Sequence, residues 1–258
     1  MPSPLELLLD PVSLTVMALY AALIAWEAIA PARPLPVVRG WKLLGLAAFF
    51  AYFFVSSYLP LLWSEQLARF QLFDLTGLGM WGAVVGVLLV EFGIYVWHRT
   101  MHGSDRLWRV FHQMHHSAER VDAYGAFWFS PADMVGWTVL GSLALTLVGF
   151  SAEATTAVLL VTTLLAVFQH TNIRTPRWLG YLAQRPESHS FHHERGVHAR
   201  NYSDLPIFDL LFGTFYNPTG FATANGFYDG ASARIVDMLC ARDVSTPPAD
   251  AATATARA

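Results

Sequence analysis

Residues 75–102 read LTGLGMWGAVVGVLLVEFGIYVWHRTMH. A bilayer-crossing helix needs about 20 consecutive apolar residues. This run supplies them with one charge, Glu91, before it ends in His98-Arg99-Thr100-Met101-His102. It reads as a membrane helix that hands two histidines to a site at the membrane surface. Glu91, Tyr95, His98 and His102 recur at spacings of four, three and four, one stripe of a helix. A lone carboxylate in an apolar span is costly and calls for a partner. Glu91 is therefore expected to orient a ligating imidazole from behind, or else to pair with an arginine.

Outward from this run lie four further apolar stretches, at 13–30, 43–63, 134–150 and 152–169. The last two are short and meet around Ser151, so they read as a tilted hairpin or as partial spans. Composition agrees: the chain is 54% hydrophobic and 14% charged, where a soluble domain carries about 25% charged residues. The expected fold is an all-α integral membrane protein with four to five transmembrane helices. The net charge of −3 gives no reason to expect a nucleic-acid partner. A lone cysteine, Cys240, excludes an internal disulfide framework and thiolate metal clusters. No basic residue precedes the first apolar run, unlike a cleaved signal peptide.

Lysine and arginine set the expected orientation. The loop after the first span holds Arg33, Arg39 and Lys42 and no acid, whereas Glu6 and Asp10 precede that span. The positive-inside rule then places this loop in the cytoplasm. Counting forward, residues 98–132 and all those after 170 are cytoplasmic, and they or their membrane edges hold every histidine. Together they predict that the histidines gather on the cytoplasmic side.

Eight of the ten histidines fall in three boxes: His98 and His102; His112, His115 and His116; His189, His192 and His193. Residues three and four apart share a helix face, so each box is expected to aim its imidazoles at one point. Neutral imidazole suits Zn, Cu, Fe and Ni. A single four-coordinate zinc uses at most four ligands, so eight or more predict two metal ions. The HExxH of zinc hydrolases is absent; His193-Glu194 followed by His198 is a near miss. His170 closes the fifth apolar stretch on the same side as the boxes and joins them as a candidate ligand. The role of His198 stays open. Two irons in an all-nitrogen shell beside a bilayer point to oxidation of a hydrocarbon with O2.

These residues resemble the fatty acid hydroxylase / sterol desaturase superfamily of membrane di-iron enzymes. The resemblance is carried by residues 95–102, 108–117 and 186–193. It continues in Asn201-Tyr202-Ser203 and in Phe208-Asp209-Leu210-Leu211-Phe212-Gly213-Thr214-Phe215, and spans roughly 85–218. It implies two irons held by the boxes and His170 in a cytosolic helical cap, with O2 as co-substrate. Glu91 and Asp209 match acidic positions that would support the ligands, and Tyr95 and Asn172 are placed with them. Three departures stand out: Ser203 where the family has Gly, Phe208 where Trp is common, and Ser130-Pro131 where many members have His-Pro.

The expected function is hydroxylation of a C–H bond in a fatty acyl or sterol-like membrane lipid. Desaturation by the same site is the alternative, and a metal-binding or metal-transporting membrane protein is the reading from another class. Phe127, Trp128 and Phe129 are expected to guide the lipid or to anchor the interface. The sequence has neither a GxGxxG after a strand nor a CxxCH, so electrons are expected from an external reductase. The expected divisions are 1–84 for the N-terminal helices, 85–241 for the catalytic domain and 242–258 for a disordered tail, in a bacterial inner membrane.

Overall fold

The computed structural model describes residues 1–248. Among them the regular elements are all helical. A short α1 (Pro4–Leu9) leads into α2 (Pro11–Ile29), whose start is fixed by Asp10 accepting from the Val12 and Ser13 amides. Next come α3 (Trp41–Ala68) and α4 (Gly82–His102), the latter preceded by a 3-10 turn over Thr76–Trp81. The two stretches around Ser151 form a hairpin of full helices, α5 (Pro131–Val148) and α6 (Ala152–His170). Ser130 caps α5 by accepting from the Asp133 amide, and Ser151 caps α6 from the Ala154 amide. Three shorter helices follow: α7 (Pro186–His192), α8 (Pro206–Phe212) and α9 (Ile235–Leu239).

Among the described residues, five helical segments are long and apolar enough to cross a membrane: Pro11–Ile29, Trp41–Ala68, Thr76–His102, Pro131–Val148 and Ala152–His170. Large apolar side chains such as Leu43, Leu62, Val84, Phe92 and Leu159 face outward on these segments. A water-soluble bundle would place polar groups there. The chain is an integral membrane protein.

Within the bundle α3 packs along α5, α4 against α5 and α6, and α2 against α6. Gly86 makes the α4–α6 crossing close, since a Cβ there would lie 2.6 Å from Val158. Small residues are the usual means of bringing membrane helices together. All five segments present one end to a cap built from 103–130 and from the chain after 170.

The cap is fastened to the two N-terminal spans by buried polar bonds. Glu27, near the end of α2, accepts from the amides of Ala123 and Asn172, both at 2.9 Å. The Trp41 indole donates to Asp122 at 2.8 Å, and the Arg33 guanidinium donates to the Ala222 carbonyl and to Asn225. The expected tail does not begin at 242. Gln113 donates to the Arg242 carbonyl and accepts from the Val244 amide, and Val244 is fully buried. The rest of that expectation, from 249 to 258, lies outside the described residues.

Candidate metal centre

The first box occupies the last turn of α4. The second sits on an irregular stretch: Trp108–His112 is a π-helical turn, followed by one α turn over Gln113–His116. Such turns are uncommon and re-aim side chains within a helix. The third box lies on α7, with His193 as its C-cap.

The nine candidate ligands converge, but not box by box. His98, His102, His112, His116 and His192 form one group, and His115, His170, His189 and His193 form a second. In each box the residues four apart share a group, and the residue three apart in the second and third boxes joins the other. At about 100° per residue, a step of four turns the side chain by roughly +40° and a step of three by roughly −60°. The expectation of one point per box is thus corrected: the second and third boxes each serve both groups. The groups adjoin, with the rings of His116 and His193 stacked at 4.1 Å between centroids.

The outer nitrogens show which ring nitrogen faces inward. His98 Nδ1 lies 2.8 Å from the Tyr202 carbonyl, His102 Nδ1 2.8 Å from that of His198, and His192 Nδ1 2.6 Å from that of Arg200. His170 Nδ1 lies 2.7 Å from the Ala166 carbonyl. A carbonyl only accepts, so each of these Nδ1 atoms carries the proton and each Nε2 is a bare lone pair. His112 Nδ1 faces Asp133 at 3.1 Å, which fixes the same tautomer.

This arrangement fits a bound cation. His98 and His112 bring two lone pairs to 2.9 Å, while Nε2 of His102, His116 and His192 is buried without a partner. In the second group, His170 Nε2 lies 3.1 Å from that of His115 and 2.9 Å from that of His189. A metal with imidazole bonds of about 2.1 Å spaces ligands at right angles roughly 3.0 Å apart.

Three of the outer carbonyls belong to one strained loop. His198, Arg200 and Asn201 have φ of +43°, +72° and +51°, a left-handed conformation that costs non-glycine residues about 1–3 kcal/mol each. Asn201 holds it: its amide group donates to the Ser188 and Tyr216 carbonyls and accepts from the Tyr216 amide. Asp209 accepts from the Tyr202 and Ser203 amides and from Thr214. Tyr95 meets Thr214 at 3.2 Å and accepts from Arg99, which ties α4 to this loop.

Glu91 is fully buried and, among the described residues, bonds to neither a histidine nor an arginine. It accepts from the Ser203 hydroxyl and from the Asp204 and Leu205 amides, anchoring the end of the same loop. Ser203, the departure from glycine, thereby gains a partner. Asn172 also stays clear of the imidazoles, donating from its backbone to Glu27 and from its side chain to the Arg33 carbonyl. Ser130 is the cap of α5 and donates to the Val110 and Phe111 carbonyls. The carboxylate that does face an imidazole is Asp133, which sequence reasoning missed. Its signal is an acid in the first turn of an apolar span, whereas Glu91 stands out as an acid in the interior of one.

His198 lies in neither group. Its carbonyl holds His102, and its ring Nδ1 lies 3.1 Å from His116 Nδ1. Phe127 and Phe129 line a cavity of about 550 Å³ that reaches His98, His112, His115, His170 and His189. Trp128 instead turns into the core beside Trp41 and Met114.

Burial, followed by the proximity of other imidazoles, pushes His112, His115, His116, His189, His192 and His193 well below the usual histidine value. Burial alone lowers His198 to about 4. All are neutral at pH 7, as ligation requires. Below about pH 6.5 the unfolded chain takes up protons that the folded chain refuses. The stability associated with these groups is complete above that value and is lost as pH falls toward the depressed folded values. The melting temperature of chelator-treated protein should therefore drop between pH 7 and pH 5. A flat profile would contradict neutral, buried imidazoles.

Residues 83–214 match the family described as fatty acid hydroxylase. An ornithine lipid hydroxylase, OlsE, from Rhizobium tropici is 33% identical over 140 residues, covering 52% of this chain and 42% of that protein. An alkylglycerol monooxygenase from Homo sapiens is 33% identical over 153 residues, covering 57% of this chain and 33% of that protein. The match thus spans less than half the length of each relative. No solved structure matches.

Proposed function

The chain belongs to the fatty acid hydroxylase family, and from that premise we propose that it is an O2-dependent di-iron oxidoreductase that hydroxylates a C–H bond of a membrane lipid. The observation that carries this reading is the junction of two imidazole groups with an apolar cavity inside the bundle.

His98, His102, His112, His116 and His192 would hold one iron, and His115, His170, His189 and His193 the other. The irons, when bound, supply the activation of O2. The protein's own part is geometric. The Tyr202, His198 and Arg200 carbonyls and Asp133 lock the imidazoles with Nε2 inward. Phe127, Phe129 and Tyr52 wall the approach and keep water from the reacting bond. Overall, R–H, O2, two electrons and two protons give R–OH and water. One oxygen atom enters the substrate and the other leaves as water. An external one-electron carrier protein supplies the electrons.

The basic loop bearing Arg33 and Arg39 packs on the cap through Arg33, so the positive-inside rule supports a cytoplasmic cap. A bacterial inner membrane is the proposed location. Hydroxylation is preferred to desaturation because both relatives are named for oxygen insertion.

Lipid mass spectrometry of host cells with and without the gene, grown under 18O2, tests the proposal. A lipid that carries one labelled oxygen only when the gene is present is the expected result. A lipid that instead loses two hydrogens without label would make the chain a desaturase. No lipid difference would return the metal-binding or transport reading.

A further inference from the structure

Burial does not separate the two histidine groups, since every candidate ligand but His102 is buried. They differ in what stands behind the imidazoles. In the five-histidine group each outer nitrogen has a partner in the protein. The Tyr202, His198 and Arg200 carbonyls serve His98, His102 and His192, Asp133 serves His112, and the His198 ring serves His116. In the four-histidine group His170 has one, the Ala166 carbonyl one turn back on its own helix. Among the described residues nothing accepts from Nδ1 of His115, His189 or His193, all three of them buried. The Trp128 backbone comes near His115 without completing a bond.

One loop accounts for most of this difference. Residues 198–202 supply the acceptors for four of the five imidazoles of the first group and for none of the second. His198 supplies two of them, one from its backbone and one from its ring. His116 turns Nε2 inward, so its Nδ1 carries the proton and donates at 3.1 Å to Nδ1 of His198. The His198 ring is packed between Phe227 and Trp108, at 5.1 and 5.8 Å between centroids.

We propose that the two groups differ in affinity: the five-histidine group takes the first metal ion, and the four-histidine group takes the second and gives it up first. An imidazole fixed from behind keeps its lone pair aimed inward before a metal arrives, so binding has less freedom to remove. The same bond raises the basicity of the ligand. Imidazoles with no acceptor behind them must be ordered by the metal itself. Each such partner is worth about 10- to 100-fold in metal affinity, so the first group should bind at least about 100-fold tighter. His198 is its positioning residue. The order is one of affinity alone, so either group still fills without the other when iron is in excess. The proposal rests on the di-iron reading for the identity of the ions, but the order can be tested without turnover.

The test uses metal-free protein in nanodiscs, kept free of oxygen, and one or two equivalents of 57Fe2+ brought to equilibrium. His192→Ala and His193→Ala, each with one group intact, identify the Mössbauer signals of the two groups. The first equivalent is expected to place about nine-tenths of its signal in the five-histidine group, as a roughly 100-fold difference in affinity requires. The second equivalent should add the other signal, and a competing chelator should remove that signal first. An even split of the first equivalent, or its appearance in the four-histidine group, would overturn the proposal.

His198→Ala should spread the first equivalent over both signals, because the five-histidine group loses about 10- to 100-fold in affinity. His198→Asn places an acceptor oxygen where Nδ1 stood and should restore the order. His198→Gly relieves the positive φ without offering an acceptor, so it should behave like the alanine variant. An unchanged order in His198→Ala, or equal behaviour of the glycine and asparagine variants, would overturn the role of the ring. The expected order without an 18O-labelled lipid would sink the hydroxylase reading and leave this one standing. A labelled lipid with the order reversed would do the opposite.

Discussion

Alanine at His192 is expected to abolish lipid hydroxylation and to empty the five-histidine group while iron persists in the other. His192 shares a box with His189 and His193, yet its Nε2 points into the group built by the first two boxes. His193→Ala, one residue along, should have the complementary effect on the second group. Loss of a residue that merely orients a ligand costs about 10- to 100-fold in metal affinity or activity. Loss of the ligand itself should exceed that in turnover. Iron content and Mössbauer spectra of the two variants make the comparison. Near-wild-type hydroxylation in His192→Ala, or the same residual iron signal in both variants, would contradict the division into groups.

Glu91→Ala should be the most destabilising single change in α4. It strands one buried amide, one part-buried amide and a hydroxyl that now share one carboxylate oxygen. At about 1–3 kcal/mol for each unsatisfied group, the two amides lose about 2–6 kcal/mol once the hydroxyl finds another partner. The melting temperature of purified protein reads it directly. Glu91→Gln keeps an acceptor oxygen, so it should melt between wild type and the alanine variant. Its iron spectrum should match wild type, because Glu91 reaches the imidazoles only through the loop ending at Leu205. An altered spectrum in the glutamine variant would mean that Glu91 acts on a ligand directly.

What the sequence disclosed and what it hid divide along physical lines. The apolar spans were legible because the bilayer imposes length and composition on any helix that crosses it. The boxes were legible because ligation demands particular residues at helical spacing. Which imidazole joins which group was not, because that depends on whether neighbours differ by three or four positions and on a π turn at Trp108–His112. Asp133 stayed hidden because its partner, His112, lies on another element. Glu91 is expected to meet an imidazole or an arginine, but its partners are the Ser203 hydroxyl and two backbone amides, and amides carry no signature in a sequence. Asn201 and Asp209 stood out by resemblance, and the left-handed loop supplies the reason those side chains are needed.

The cavity is walled on one side by α2 and α3, which lie wholly before the stretch that matches the family. The matched segment brings the imidazoles, the loop that locks them and the walls formed by α4, α5 and α6; the unmatched segment brings the wall formed by α2 and α3. Ser13, Phe53 and Ser64 can therefore be exchanged to reshape that wall without touching the stretch that carries the imidazoles. The buried Glu27 and Trp41 bonds are the seams that keep such exchange compatible with one folded protein.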